Sequence, residues 1–171
     1  PTVRAEVTTN HGSGEFTVPA GASTGRFEAV ERRDGEERFG GAGVIGAVEA
    51  VVNELAPLVV GRDVRDQVGL DATLVRADGT DDLSRLGANA VLAVSGAALK
   101  AASDTDNVPL YRYLAEQRGF EPTIPIPMVN ILSGGLHAEG GIEVQDFLAI
   151  PHRVESATEA IETVWSVRNA V

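Results

Sequence analysis

The chain has 171 residues, 43% of them hydrophobic, enough to bury the core of one sizeable domain, or of one small domain and part of a second. It has no cysteine, which excludes a disulfide framework, a thiolate metal site and a thiol nucleophile. The net charge is -11 and the basic residues are scattered rather than gathered in a stripe, which argues against a nucleic-acid partner; no apolar run approaches the length of a membrane span.

A cytoplasmic home fits this composition. The first residue is proline rather than methionine, so a preceding N-terminal piece is expected. An acidic protein that binds an anionic metabolite needs divalent cations or a local basic cluster, and the only lysine is Lys100.

Residues 2–9 alternate Val3, Ala5 and Val7 with Arg4, Glu6 and Thr8, the period of a half-buried strand. A turn over Asn10–Gly14 leads to a second strand over Glu15–Pro19, and a third is expected over Arg26–Arg33, giving a three-stranded meander. The loop Ala20–Gly25 offers backbone amides and the Ser23 and Thr24 hydroxyls to a phosphate or a metal; an ordinary hairpin loop has the same composition.

Gly41–Gly46 (GAGVIG) fits the spacing of a dinucleotide-binding turn, with Asp63 downstream as a ribose acid. That reading is rejected, because the residues before it are highly charged and hold a turn at Asp34 and Gly35 instead of a buried strand. The stretch instead opens an amphipathic helix with Val44, Val48, Val51, Val52 and Leu55 on one face, closed near Pro57.

A shorter helix is expected over Val64–Ala77, with Val68, Leu70, Leu74 and Val75 available to the core. Leu86–Ala102, rich in Ala, Gly and Ser, predicts a helix packed on several sides, and Val108–Gln117 a further helix opened by proline. Three prolines in Gly119–Pro127 predict an extended linker.

Met128–Pro151 reads as a hairpin, with strand-type runs MVNIL and VQDFLAI around a Gly-rich segment holding His137. Gly134, Gly135, Gly140 and Gly141 allow close backbone approach to a ligand, and Gln145 and Asp146 put polar groups into the second run. Either a ligand satisfies them, or this is a glycine-rich turn with a solvated histidine and an Asp bonded to a neighbouring amide. Ser156 and Glu159 have capping-box spacing at the start of a last helix with Ala157, Ala160, Ile161, Val164 and Val167 on its apolar face and Trp165 as a packing residue.

Three segments in register resemble the enolase family: PTVRAEVTT with VPAGASTGRFEAVERRDG, DGTDDLSRLGANAVLAVSGAALKAA with VPLYRYL, and IPIPMVNILSGGLHAEGGIEVQDFLAIP. The resemblance covers essentially the whole chain. It implies an α+β N-terminal domain over residues 1–126, a three-stranded antiparallel meander with helices, followed over 127–171 by the start of an enolase-type modified (β/α)8 barrel.

The activity it implies is conversion of 2-phosphoglycerate, a phosphorylated three-carbon acid, to phosphoenolpyruvate. Two Mg2+ ions would stabilise the aci-anion formed as the α-proton leaves, and a lid would exclude water. In this chain Ser23 would bind the second Mg2+, and the Ala22 backbone would lie beside the substrate. His137 would close on the phosphate, and Gln145, Asp146 and Phe147 would contact substrate and water. His137 and Asp146 are the expected catalytic residues, and a homodimer or higher homo-oligomer is the expected assembly.

Several positions depart from the family pattern. Asp146 stands in place of a glutamate, Ser133 in place of an asparagine before the paired glycines, Ala20 in place of a lid serine, and Arg4 in place of a glutamate that supports dimer pairing. The family's proton-abstracting lysine, its acid glutamate, its carboxylate ligands and its phosphate-binding arginine match nothing up to Val171. Lys100 falls in the helical layer and does not replace the base. The chain is therefore expected to be part of a longer protein, incomplete at both ends. Asp146 and Ser133 keep open a specialised paralogue such as carboxyphosphonoenolpyruvate synthase, since a retuned pocket admits a second substrate. A non-catalytic binding role is opposed by the joint presence of Ser23, His137 and Gln145.

Overall fold

The computed structural model describes residues 1–21, 25–35, 37–135 and 142–171. They form two compact units, Pro1–Phe120 and Glu121–Val171. The first contains β1 (Val3–Thr8), β2 (Ser13–Val18), α1 (Ile45–Ala50), a π-helical segment (Val51–Leu55), α2 (Ala56–Val59), α3 (Gln67–Asp78), α4 (Ala88–Thr105) and α5 (Leu110–Arg118). The second contains β3 (Val129–Ser133), β4 (Asp146–Ala149) and α6 (Ala157–Ala170). No helix among the described residues is long and apolar enough to cross a membrane.

β1 and β2 pair antiparallel with Val3 opposite Val18, Ala5 opposite Phe16 and Val7 opposite Gly14. The two-residue period turns these side chains to one face, and α4 covers it. Ala90, Ala93, Ala97, Ala98, Ala101 and Ala102 of α4 are fully buried, which is why the helix carries small residues nearly all round. The approach is close enough to require glycine on both sides. A Cβ on Gly14 would run into the Ala97 carbonyl and the Ala101 amide, and one on Gly96 would sit 2.5 Å from the Phe16 ring. The hairpin turn is fastened to the far end of α4: the Ser13 amide donates to Asp104 at 2.8 Å, and the Thr9 and Thr105 hydroxyls lie 2.9 Å apart.

Three expectations for this unit are corrected. First, the described sheet has two strands, and Arg26–Arg33 is not a strand. Its backbone groups are used elsewhere: the Val30 amide donates to the Asp82 carbonyl, the Ala88 amide to the Val30 carbonyl, and the Asn89 side chain both accepts from the Arg32 amide and donates to its carbonyl. The segment is thus bonded to the loop before α4 and the helix's first turn, not to β2.

Second, Pro57 does not close the helix begun at Ile45 but sits in the first turn of α2, directly after the π-helical segment. A proline removes one backbone donor and crowds the preceding turn, and a widened turn accommodates both. The extra residue rotates the buried face, so Ala47, Ala50 and Leu55 point inward while Val48 and Val52 are exposed. Third, α3 buries Leu70, Thr73, Leu74 and Asp78, whereas Val68 and Val75 face solvent.

Among the described residues Asp78 is the buried acid of this unit, 2% exposed. Its carboxylate accepts from the Leu86 amide at 2.7 Å, the Thr80 amide at 3.0 Å and the Thr80 hydroxyl, folding the loop between α3 and α4 around one charge. Burial works against that charge, but the Thr80 and Leu86 donors and nearby Arg85 outweigh it and hold the carboxyl below its ordinary range.

In the second unit β3 and β4 pair antiparallel. The Glu159 amide donates to Ser156 Oγ at 3.1 Å, while the Glu159 carboxylate returns to the Glu155 amide at 2.8 Å, one residue before the expected capping-box partner. α6 touches β3 along a narrow strip. Ala160 and Val164 are buried, but Ala157, Ile161 and Val167 of the expected apolar face are exposed, and so is Trp165 at 67%.

Two outcomes are expected in unfolding experiments. Gly14→Ala will destabilise the protein by roughly 1–3 kcal/mol, seen as a lower urea midpoint, because the collision is with helix backbone that cannot rotate away. Asp78 contributes stability that is fully present above its ordinary value of 3.8 and is lost as pH falls through its lowered folded value. Asp78→Asn will therefore flatten the acid limb of the midpoint against pH below about pH 4.

Candidate active site

Of the residues singled out for chemistry, Ala22, Ser23, Thr24, His137, Gly140 and Gly141 lie outside the described residues, and Gly134, Gly135, Gln145, Asp146 and Phe147 lie within them. The backbone on either side of the first loop is held by acids of the segment that follows. The Gly21 amide donates to Glu31 at 3.1 Å, and the Gly25 amide to Glu28 at 2.6 Å. Burial opposes the charge on Glu31, but its bond to the Arg33 guanidinium and the Gly21 amide prevail and keep it below the usual carboxylate range.

The β3–β4 ladder continues past Ser133. The Gly134 amide donates to the Gln145 carbonyl at 2.7 Å, and the Gly135 amide to the Ile142 carbonyl at 2.8 Å. A Cβ on Gly134 would lie 2.5 Å from the carbonyl oxygens of both Ile142 and Val144, and Gly135 has φ +58. The paired glycines thus let one strand meet the other's backbone, so the close approach is to protein at Gly134.

β3 carries a bulge between Asn130 and Leu132. Asn130 opposes Leu148, Leu132 opposes Phe147 and Ser133 opposes Asp146, leaving Ile131 as the extra residue. In an unbroken strand Asn130 and Ser133, three apart, face opposite sides. The extra residue turns both to the face that carries Asp146. There Asn130 Nδ2 donates to Ser133 Oγ and to Asp146 Oδ1, each at 2.6 Å, and Ser133 Oγ donates to the same Oδ1 at 3.1 Å. Asn130 did not stand out in the sequence; its one signal was a polar residue inside the apolar run MVNIL.

The helix start at GAGVIG is already occupied by protein. Asp34 accepts from the Ile45 and Gly46 amides at 2.9 Å each, and these two donors hold its carboxyl below the ordinary range. That is the position a dinucleotide phosphate would need. Lys100 is exposed on α4. Arg4 is drawn into its own hairpin by an ion pair with Glu15 at 2.5 Å. Among the described residues no three or more His, Asp or Glu are grouped so as to hold a metal ion, and Ser23 lies outside those residues.

A helical layer on a β-hairpin makes the first unit an α+β domain, and the second unit opens with an antiparallel strand pair followed by a helix. Residues 1–114 match the family model for the enolase N-terminal domain and residues 121–169 that for the enolase C-terminal TIM barrel domain. The chain is 48% identical over 162 residues to the enolase of Acidothermus cellulolyticus, covering 94% of this chain and 37% of that protein. It is 49% identical over 171 residues to enolase 1 of Desulfitobacterium hafniense (99% and 39% covered) and 47% over 172 residues to the enolase of Mycobacterium leprae (100% and 40%). The chain belongs to the enolase family. It spans about two fifths of the length of these relatives, between 37% and 40%.

Gly134→Ala tests the hairpin geometry. The added methyl has carbonyl oxygens on two sides, so the ladder must open, and the variant should lose roughly 1–3 kcal/mol of stability in thermal unfolding.

Proposed function

We propose that the full-length protein containing this chain is an enolase-type lyase. It interconverts 2-phosphoglycerate and phosphoenolpyruvate, removing the proton on C2 and expelling the C3 hydroxyl as water. The observation that carries this reading is the near 48% identity, over essentially the whole chain, to proteins named enolase.

On this reading residues 1–126 supply the lid and its framework and residues 127–171 the first strands and helix of the barrel. His137 meets the substrate phosphate, Gln145 and Asp146 face the reacting carbons, and the Ala22 backbone lies beside the substrate. Mg2+ is the proposed cofactor, with the Ser23 hydroxyl as this chain's contribution; when bound it supplies positive charge to the substrate carboxylate. The remaining groups belong to the part of the family's length that this chain does not span. The exposed apolar side chains of the second unit, Met128, Phe147 and Trp165 among them, are surfaces that further barrel elements would cover. A cytoplasmic homo-oligomer completes the proposal, without a contribution from Arg4, which is engaged with Glu15.

A second reading is a paralogue that makes carboxyphosphonoenolpyruvate; the departures at Ser133 and Asp146, each taken as a change in the pocket, are what favour it.

The test is the absorbance of phosphoenolpyruvate formed from 2-phosphoglycerate by the full-length protein, with and without Mg2+. Magnesium-dependent turnover is expected. A folded protein that does not turn over 2-phosphoglycerate alone, but does so once phosphonoformate is added as second substrate, would replace the first reading by the second. In the active protein His137→Ala should lower kcat by roughly a hundredfold or more with the melting temperature little changed. Ser23→Ala should weaken Mg2+ binding in a direct titration. Unchanged kinetics and unchanged Mg2+ affinity would remove these residues from the site.

A further inference from the structure

We propose that Asn130 and Ser133 are positioning residues for Asp146, delivered to it by the β3 bulge; this rests on the assignment of Asp146 to the reacting centre made above. The bulge at Ile131 puts both on the Asp146 side of the hairpin. Both hydrogens of Asn130 Nδ2 are used, one on Ser133 Oγ and one on Asp146 Oδ1, each at 2.6 Å, and the Ser133 hydroxyl adds a second donor to Oδ1 at 3.1 Å. Oδ1 is thus fixed by two donors from one strand, while among the described residues Oδ2 accepts no hydrogen bond. A carboxylate held through one oxygen by two donors keeps its plane and its reach.

The departures at 133 and 146 are then one feature. The side chains stand directly opposite on the ladder, and a short hydroxyl meets a short carboxylate. A reacting group displaced by about 1 Å can cost on the order of a hundredfold in rate, so the hydroxyl that fixes Asp146 acts on turnover without touching substrate.

The experiment is steady-state kinetics of the full-length protein with 2-phosphoglycerate, comparing wild type with Ser133→Ala, Ser133→Thr, Asp146→Asn and the Ser133→Ala/Asp146→Asn double variant. Ser133→Ala is expected to lower kcat roughly tenfold with KM nearly unchanged, the signature of an interaction expressed in the transition state. Ser133→Thr, which keeps the hydroxyl, should restore most of that loss. In the Asp146→Asn background Ser133→Ala should cost nothing further, because its only route to the reaction has been removed. If Asp146→Asn turns over like wild type, the assignment of Asp146 to the site is overturned and the pairing with it. If Asp146→Asn is slow but Ser133→Ala is silent, or multiplies with it independently, the pairing alone is overturned. A wild-type protein with no turnover overturns both.

Discussion

The backbone contact between α4 and the β1–β2 hairpin is the constraint on which the first unit depends. Helices on sheets are normally held off by side chains, and here two glycines let them meet more closely. Gly14 removes a side chain from β2 where α4's backbone passes, and Gly96 removes one from α4 where the Phe16 ring lies. A glycine in a helix interior costs about 1 kcal/mol against alanine, which the Phe16 packing offsets. Once α4 is seated, Asn89 at its N-terminal end holds the 26–33 segment, and Asp104 and Thr105 at its other end hold the hairpin turn. The segment held by Asn89 includes Glu28 and Glu31, whose carboxylates bind the backbone at Gly25 and Gly21. The first candidate loop is therefore joined to the core through a chain of hydrogen bonds that begins at one helix.

The same bonds account for part of the acidity. Twenty-five acidic residues against 14 basic ones could suggest a surface built for cations. Many of these acids instead accept from backbone amides of their own chain. Asp34 serves the start of α1, Asp66 the Gly69 amide in the first turn of α3, Asp78 the loop to Leu86, Asp104 the hairpin turn, and Glu28 and Glu31 the first candidate loop. A carboxylate at a helix N-terminus meets both unpaired donors and the positive end of the helix dipole. Negative charge spent in this way stabilises local structure and says little about partners.

Much of this was legible in the sequence, and the exceptions have physical causes. Strict alternation revealed β1, the small-residue run revealed α4, and the spacing of Ser156 and Glu159 revealed the start of α6, because each signal is local. The third strand was misplaced because alternation reports an extended chain but not its bonding partner, and Arg26–Arg33 bonds to a loop and a helix start more than fifty residues away. The face of the helix begun at Ile45 was misread because a 3.6-residue period does not survive a π turn. In the site, Gln145 and Asp146 stood out as polar interruptions, whereas Asn130 did not. Its direction depends on a bulge, and nothing in MVNILSGG marks Ile131 as the residue without a partner.

That bulge also bears on how the substitutions at 133 and 146 should be weighed. Taken singly, a carboxylate shortened by one methylene suggests a pocket retuned for another substrate. Taken as a pair, the two changes answer each other across the ladder. Opposed Cβ atoms lie about 5 Å apart, a gap that a serine hydroxyl and an aspartate carboxylate span in one hydrogen bond. Lengthening one side alone would push its polar atom past its partner. The hydrogen bond between Ser133 and Asp146 therefore accounts for their joint occurrence within the hairpin itself, with no second substrate required. What the shorter pair does change is how far the carboxylate reaches from the hairpin, and that reach is set by β3 and β4 together.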